Sequence, residues 1–297
     1  GCGGSTATAD NGDPKPLPPM EVPTTLTDAK EAEVMVFKGG FGSDFYERVA
    51  DDFMKANPGV KINLVADPQV WERVGPKVLA GNPPDLMYPG WKYDHWGLVA
   101  ENQLMPLDGV LKEKAFGSDQ TWGETFEPSM LKLGKYNGQQ FVLPYFFSAS
   151  GWWYSPSLFK EKGWSVPKTF KELLELAPKI KAAGIAPITY QGQYPFYMMA
   201  GFLEPWIIGH GGIEAYNAIQ NLEPGAWKAE APLKAAQMIV DLKNAGFFQE
   251  GAAALNHTEA QTQFITKKAA MIPCGTWLHS EMEKSIPAGF DMQFMLV

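Results

Sequence analysis

The sequence has little cysteine, little histidine and no surplus of positive charge, and each shortage removes a class of function. Two cysteines, Cys2 and Cys274, cannot build a disulfide framework. The histidines are His95, His210, His257 and His279, and no two stand four apart with a glutamate between them, so there is no zincin helix. His257-Thr258-Glu259 and His279-Ser280-Glu281 each offer two metal ligands at most, and their ordinary reading is polar residues at helix starts and on the surface. Lys plus Arg number 25 against 33 Asp plus Glu, a net charge of −8, and no basic stretch stands out. Nucleic acid, whose phosphates need a basic face, is therefore not an expected partner. No run of about 18 apolar residues occurs, so no helix of the sequence is expected to span a membrane. Both the Gly-x-Ser-x-Gly elbow and the Gly-x-x-x-x-Gly-Lys loop are missing. Nothing selects an acid–base pair from the 33 carboxylates, so no catalytic residue, metal or cofactor is assigned.

What the sequence has in plenty is aromatic. Ten Trp, ten Tyr and 18 Phe make 13% of a chain that is otherwise 45% hydrophobic and 20% charged, the balance of a folded protein. At 297 residues it is long enough for two domains and too long for one simple core. Ten indoles need either a core or a ligand to cover them.

Residues 3–28 are mostly Gly, Ser, Thr, Ala, Asp and Pro, so 1–29 reads as a flexible tether. Gly1-Cys2 at its head resembles the end of a bacterial lipoprotein signal, where the cysteine becomes the first mature residue and carries lipid. That resemblance implies lipidation at Cys2 and an extracytoplasmic protein held to the membrane through this anchor only. Cys274, with no Cys-His motif around it, reads as a buried small hydrophobe.

From residue 31 strands and helices alternate. Val34–Phe37 is an apolar strand, and Ser43 opens a helix with Phe45, Val49 and Phe53 on one stripe. Residues 60–65 alternate as a second strand, 69–80 read as a helix, and 85–88 as a third strand. This order predicts a parallel sheet covered by helices. Asn137-Gly138 signals a hairpin, with a strand expected at Phe141–Leu143. In the second unit, Trp152–Tyr154 reads as a strand and Pro156–Gly163 as a short helix. Thr169 with Glu172 is a capping box, and Thr258 with Gln261 a second one. Ala186–Tyr190 and Ala269–Ile272 are expected strands, with helices near 195–209, 213–221 and 230–245. Residues 290–297 read as a strand that the sequence leaves unfinished, which suggests a truncated C-terminal part.

The aromatics gather where those strands end. Phe41 follows the first strand, and Tyr88, Trp91, Tyr93 and Trp96 follow the third. Tyr194 and Tyr197 come after Ala186–Tyr190, and Trp277 after Ala269–Ile272. In open α/β sheets ligands bind beyond the carboxyl ends of strands. Flat rings suit the C–H faces of a sugar, and carboxylates such as Asp94 and Glu281 suit its hydroxyl rim. Core filling is the competing explanation and should claim about half of these rings.

Asn82-Pro83-Pro84-Asp85-Leu86-Met87, Gln103-Leu104-Met105-Pro106-Leu107, Leu143-Pro144-Tyr145 with Trp153-Tyr154-Ser155, and Ala270–Trp277 together resemble the bacterial extracellular solute-binding proteins of carbohydrate ABC importers. Gly39–Gly42, Tyr190–Tyr197 and Asn221–Trp227 are most similar to the branch that binds N-acetylglucosamine and chitobiose. The resemblance implies two α/β lobes of a periplasmic-binding-protein fold, type II-like, joined by a hinge. It implies lobes at 30–147 and 148–288, and the start of a second crossover at 289–297. It also implies a monomer that takes a carbohydrate in an aromatic cleft and delivers it to the permease. Carried over by position, Trp277 matches the stacking Trp of the second lobe and Trp91 the loop after the third strand. Ser148 matches a crossover contact where the family often has an acidic residue, and alternation puts Trp152 on its side. The expected ligand-binding set is Phe41, Tyr88, Trp91, Asp94, Ser148, Trp152, Tyr194, Tyr197, Trp277 and Glu281. A secreted glycan hydrolase with an aromatic cleft is the alternative, and an adhesin a weaker one.

Overall fold

A computed structural model describes residues 30–90 and 92–296 of the chain. The chain divides into two compact units, Gly1–Phe147 and Ser148–Val297. Trp91, Cys2 and the rest of the tether lie outside the described residues.

The first unit is built on a three-stranded parallel sheet. Strands β1 (Glu31–Phe37), β2 (Lys61–Asp67) and β3 (Leu86–Met87) stand in the order β2-β1-β3. Helices α1 (Asp44–Ala56) and α2 (Val70–Leu79) make the crossovers. Parallel neighbours require such crossovers, which is why the alternating pattern of the sequence predicts a parallel sheet covered by helices. Val70, Trp71 and Val74 of α2 pack on Met35 of β1 to form the core. The apolar stripe of α1 behaves differently: Phe45, Val49 and Phe53 are all 42–50% exposed. Short helices α3 (His95–Ala100) and α4 (Pro128–Leu131) follow, then a hairpin of β4 (Lys135–Tyr136) and β5 (Gln139–Gln140) around Asn137-Gly138. Both turn residues have positive φ, as such a two-residue loop requires. The strand expected at Phe141–Leu143 does not form. The Phe141 and Val142 amides donate to the Gly134 carbonyl instead, folding the chain back on the hairpin.

The second unit has a mixed four-stranded sheet in the order β7-β8-β6-β9. Its strands are β6 (Ser150–Tyr154), β7 (Ala186–Ile188), β8 (Ala269–Gly275) and β9 (Gln293–Met295). β7 and β8 are parallel, whereas β6 runs antiparallel to both β8 and β9. Around it lie α5 (Pro156–Lys162), α6 (Phe170–Ala182), α7 (Pro195–Met198), α8 (Glu204–Gln220), α9 (Glu230–Asn244), α10 (His257–Ile265) and α11 (Leu278–Met282). Thr169 caps α6 by accepting from the Glu172 amide at 3.2 Å. The second expected capping box is displaced: α10 starts two residues earlier, with Asn256 and Glu259 bonding each other's amides at 2.9 Å. The helical stretch after Tyr194 holds a π-helical turn at Met199–Leu203 and a break at Gly212, whose φ of 72° suits glycine.

Candidate functional site

The strand β8 is buried along its whole length, and the chain turns sharply as it leaves the sheet at Gly275. Trp277 lies in that exit, partly exposed. Its six-membered ring folds back over Gly275, so closely that a β-carbon on residue 275 would stand 1.9 Å from Cζ3. The parallel neighbour β7 delivers the second exit. Tyr194 follows it, then Pro195 starts α7 and sets Phe196 and Tyr197 on the first turn. Phe196 is 49% exposed and stands with its centroid 6.4 Å from that of Trp277. Tyr194, Phe196 and Trp277 thus form an aromatic face on the second unit.

Tyr197 lies beneath it, only 4% exposed. Burial raises its pKa, and the thiol of Cys274 and the Glu281 carboxylate push the same way. Its hydroxyl pairs with His257 Nδ1 at 2.9 Å, and the His257 ring stacks on Tyr194 with centroids 3.8 Å apart and planes at 15°. Glu281 is exposed and accepts from Gln261 Nε2 at 2.7 Å. The structure therefore brings together Tyr194, Tyr197, Trp277 and Glu281 from the expected set. Of these, Tyr197 is buried below the face and not part of its surface.

Trp152 is a correction. It is wholly buried, donates its indole N–H to the Gly201 carbonyl at 2.7 Å and packs between Phe202, Trp206 and Phe247. Strand alternation says which residues share a face, not whether that face meets solvent, and helices cover both faces of β6. Trp153, on the other face, is buried as well and donates to the Gly275 carbonyl at 3.0 Å. Ser148 is exposed and precedes β6, so the alternation does not reach it.

On the first unit, Tyr88 packs with Phe37 and Trp71 against the core, whereas Phe41 meets residues distant in sequence. Phe41 lies edge-on to Phe146 at 6.1 Å. Tyr145 contacts Phe146 at 5.0 Å and lies nearly parallel to Phe45 at 6.0 Å, and its hydroxyl pairs with that of Tyr46. Burial, then the Tyr46 hydrogen bond, raise the pKa of Tyr145, and the Tyr88 hydroxyl adds to the effect. Phe41, Phe45, Tyr145 and Phe146 are between 44% and 51% exposed, a second aromatic face. Asp94 stands apart from it as the N-cap of α3, accepting from the Gly97 amide at 2.9 Å. A shallow cavity of about 440 Å³ beside α1 and β2 is lined by Lys38, Glu47 and Asp51 and holds none of the expected residues.

The profile of the bacterial extracellular solute-binding proteins matches residues 39–295, and the chain belongs to that family. It is 26% identical over 261 residues to the diacetylchitobiose binding protein NgcE of Streptomyces coelicolor, covering 88% of this chain and 55% of that protein. A multiple sugar-binding protein of Streptococcus mutans is 22% identical over 247 residues, 81% of this chain and 56% of the other. The chain thus spans about half the length of the curated relatives it matches. Among solved structures, the solute-binding protein RafE in complex with raffinose matches with a TM-score of 0.70 at 21% identity, covering 90% of this chain and 67% of that one. A chitin oligosaccharide binding protein matches with 0.68 at 23% identity, over 85% and 62% of the respective chains. These likenesses show the two-lobe α/β fold that the sequence predicted. All four are binding proteins by name, not enzymes. Among the described residues no helix is long and apolar enough to cross a membrane.

Proposed function

We propose that this chain captures a carbohydrate outside the cytoplasm and delivers it to an ABC permease, with N-acetylglucosamine or diacetylchitobiose as the first ligands to try. The observation that carries the reading is the partly exposed group of Tyr194, Phe196 and Trp277 at the adjacent exits of β7 and β8. Aromatic rings of this kind cover the C–H faces of a pyranose, and Glu281 stands close by to accept from its hydroxyls. The name of the Streptomyces relative supports the choice of N-acetylated sugars. Lobe limits at 30–147 and 148–288, a monomeric state and an anchor at Cys2 belong to the same proposal.

Calorimetric titration with N-acetylglucosamine, diacetylchitobiose, raffinose and maltotriose tests it, with chromatography of each mixture for breakdown products. Binding without turnover is the expected result. Heat from none of the four sugars, or hydrolysis products that disappear in Glu281→Gln, would overturn the reading, the latter in favour of a glycan hydrolase. For the anchor, wild type expressed behind a lipoprotein signal should sediment with membranes and Cys2→Ser should not; equal partitioning would remove it.

A further inference from the structure

The buried polar side-chain atoms of the second unit that lack a protein partner, among the described residues, gather in one layer. They are Thr189 Oγ1, both amide atoms of Gln191, Gln249 Oε1 and Gln261 Oε1. Thr189, Gln191 and Gln261 are fully buried. The sheet register sets where they lie. Ile188 stands beside Met271 and bridges to Phe248, and all three pack in one core. Tyr190 meets Phe248 edge-on from that same side, with ring centroids 5.5 Å apart. Alternation therefore turns Thr189, Gln191 and Gln249 to the opposite face, which carries Ile272 and Cys274 of β8. Helix α10 covers that face with Ala260, Phe264 and Ile265, and Gln261 is on the same buried side of the helix. Gln249 Nε2 donates to Gln263 of α10 at 2.9 Å, tying sheet and helix together across the layer.

A buried amide left without a partner is costly, and where protein atoms do not reach such groups ordered water meets them. The atoms of this layer supply what a water needs: Gln191 Nε2 and Thr189 Oγ1 donate, and the side-chain oxygens of Gln191, Gln249 and Gln261 accept. Gln261 joins the layer to the rim of the aromatic face. A carboxylate only accepts, so the 2.7 Å bond to Glu281 comes from Gln261 Nε2, which leaves Oε1 turned away from the carboxylate and into the layer. We propose that the layer between β7–β8 and α10 is an internal hydration site, in which ordered water bridges Gln191 to Gln261 Oε1 and so keeps Gln261 Nε2 on Glu281. The flipped amide would set its oxygen against the carboxylate and lose both bonds. Gln261 is then a positioning residue for Glu281. That purpose rests on the carbohydrate-binding reading; the hydration site does not.

The test uses the whole chain. In wild type, a crystal structure fine enough to show ordered water, and water-to-amide cross-relaxation by NMR, should both find water on the side-chain amides of Gln191 and Gln261. Gln191→Met keeps the volume and removes the polar atoms. It should lower the melting temperature by about 2–4 °C, the effect of one net hydrogen bond in a domain of this size. Were the Gln191 amide truly without a partner, the same substitution would relieve its burial and raise the melting temperature. Gln261→Met should weaken diacetylchitobiose binding about tenfold, and should have no further effect in a Glu281→Ala background. A wild-type structure in which Gln191 bonds Gln261 directly with no water between them, or a melting temperature that rises in Gln191→Met, overturns the hydration site. Sugar binding that Gln261→Met leaves unchanged, or weakens equally without Glu281, overturns the positioning role. If wild type binds no sugar but holds water on both amides, the hydration site stands and the carbohydrate reading fails. Should Gln191→Met fail to fold, the wild-type structure and its cross-relaxation decide alone.

Discussion

Gly275→Ala tests the aromatic face through a single methyl group. The added β-carbon would lie 1.9 Å from Trp277 Cζ3 and 2.3 Å from both Cε3 and Cη2. Carbon atoms in ordinary contact are about 3.5–4.0 Å apart, so the ring must retreat by roughly 1.6–2 Å. The backbone gives no relief by moving. Gly275 pairs with Ser150 across the sheet, and its carbonyl holds the Trp153 indole. Nor does it need glycine for its own conformation, since its φ is not positive. The indole is the part that can yield, because it is partly exposed. Overpacking costs about 1–3 kcal/mol, and a ring free to swing outward places this case near the lower end. Binding should suffer more: a ring displaced by that distance loses face-on contact with the sugar, and stacking of this kind contributes about 1–3 kcal/mol, roughly thirtyfold in affinity at mid-range. The assay is a double-mutant cycle by calorimetry with diacetylchitobiose, with melting temperatures measured alongside. Gly275→Ala and Trp277→Ala should each weaken binding, and the combination should be no worse than Trp277→Ala alone. If Gly275→Ala weakened binding equally with or without the indole, Trp277 would not be the group through which it acts, and the face would have been wrongly assigned.

Two further predictions concern stability. Asp291, just before β9, accepts from the Ser155 and Ser157 hydroxyls at 2.6 Å and from the Ser157 amide, fastening the last strand to the start of α5. Desolvation works to raise its pKa, but those hydrogen bonds outweigh it and the net shift is downward. A carboxyl whose folded pKa is depressed stabilises above its unfolded value of about 3.9, and the contribution is lost as pH falls through the folded pKa. Asp291→Ala should therefore melt below wild type at pH 7, and the gap should close at acid pH; a gap independent of pH would refute the assignment. Cys274 is buried, and desolvation first, then Glu281, push its thiol up to about 12. It should resist a thiol reagent at pH 8 until the protein is unfolded. An acid whose folded pKa is raised destabilises once the unfolded thiol ionises, near 8.5, so its contribution to stability should fall between there and 12. Cys274→Ala should flatten that part of the curve, and rapid labelling of native protein would refute the burial.

The regular parts of both units were readable because each depends on local periodicity. Val34–Phe37, residues 60–65 and the helix over 69–80 carry their own patterns, and parallel strands leave few ways to connect them. Reading failed where two local signals overlapped or where the answer lay across the fold. Asn256 and Thr258 both stand three residues before a Glu or Gln, and pattern does not say which begins the helix. Phe141–Leu143 has the composition of a strand, but the Gly134 carbonyl takes two of its amides. Tyr46 and Tyr145 are 99 residues apart, Tyr197 and His257 are 60 apart, and no spacing rule joins such pairs.

Trp152 and Trp277 show what separates a core indole from a candidate binding one. Trp152 lies in β6 and Trp277 just after its neighbour β8, and composition treats them alike. Trp152 lies within the body of β6, where each side chain must face one side or the other of the sheet and both sides are covered. Trp277 lies past the end of β8, where the ladder has stopped and no opposing layer is obliged to close over the ring. The same holds for Tyr194 after β7, and for Phe41 and Tyr88 after β1 and β3 in the other unit. Because β7 and β8 are parallel, and β1 and β3 are parallel, the exits in each unit fall at one end of its sheet. Parallel pairing thus gathers residues distant in sequence onto a common rim without any contact between them being encoded locally. The useful signal for an aromatic residue is therefore its position relative to the strand end, and Trp152, which lies inside the strand, fails that criterion on sequence alone.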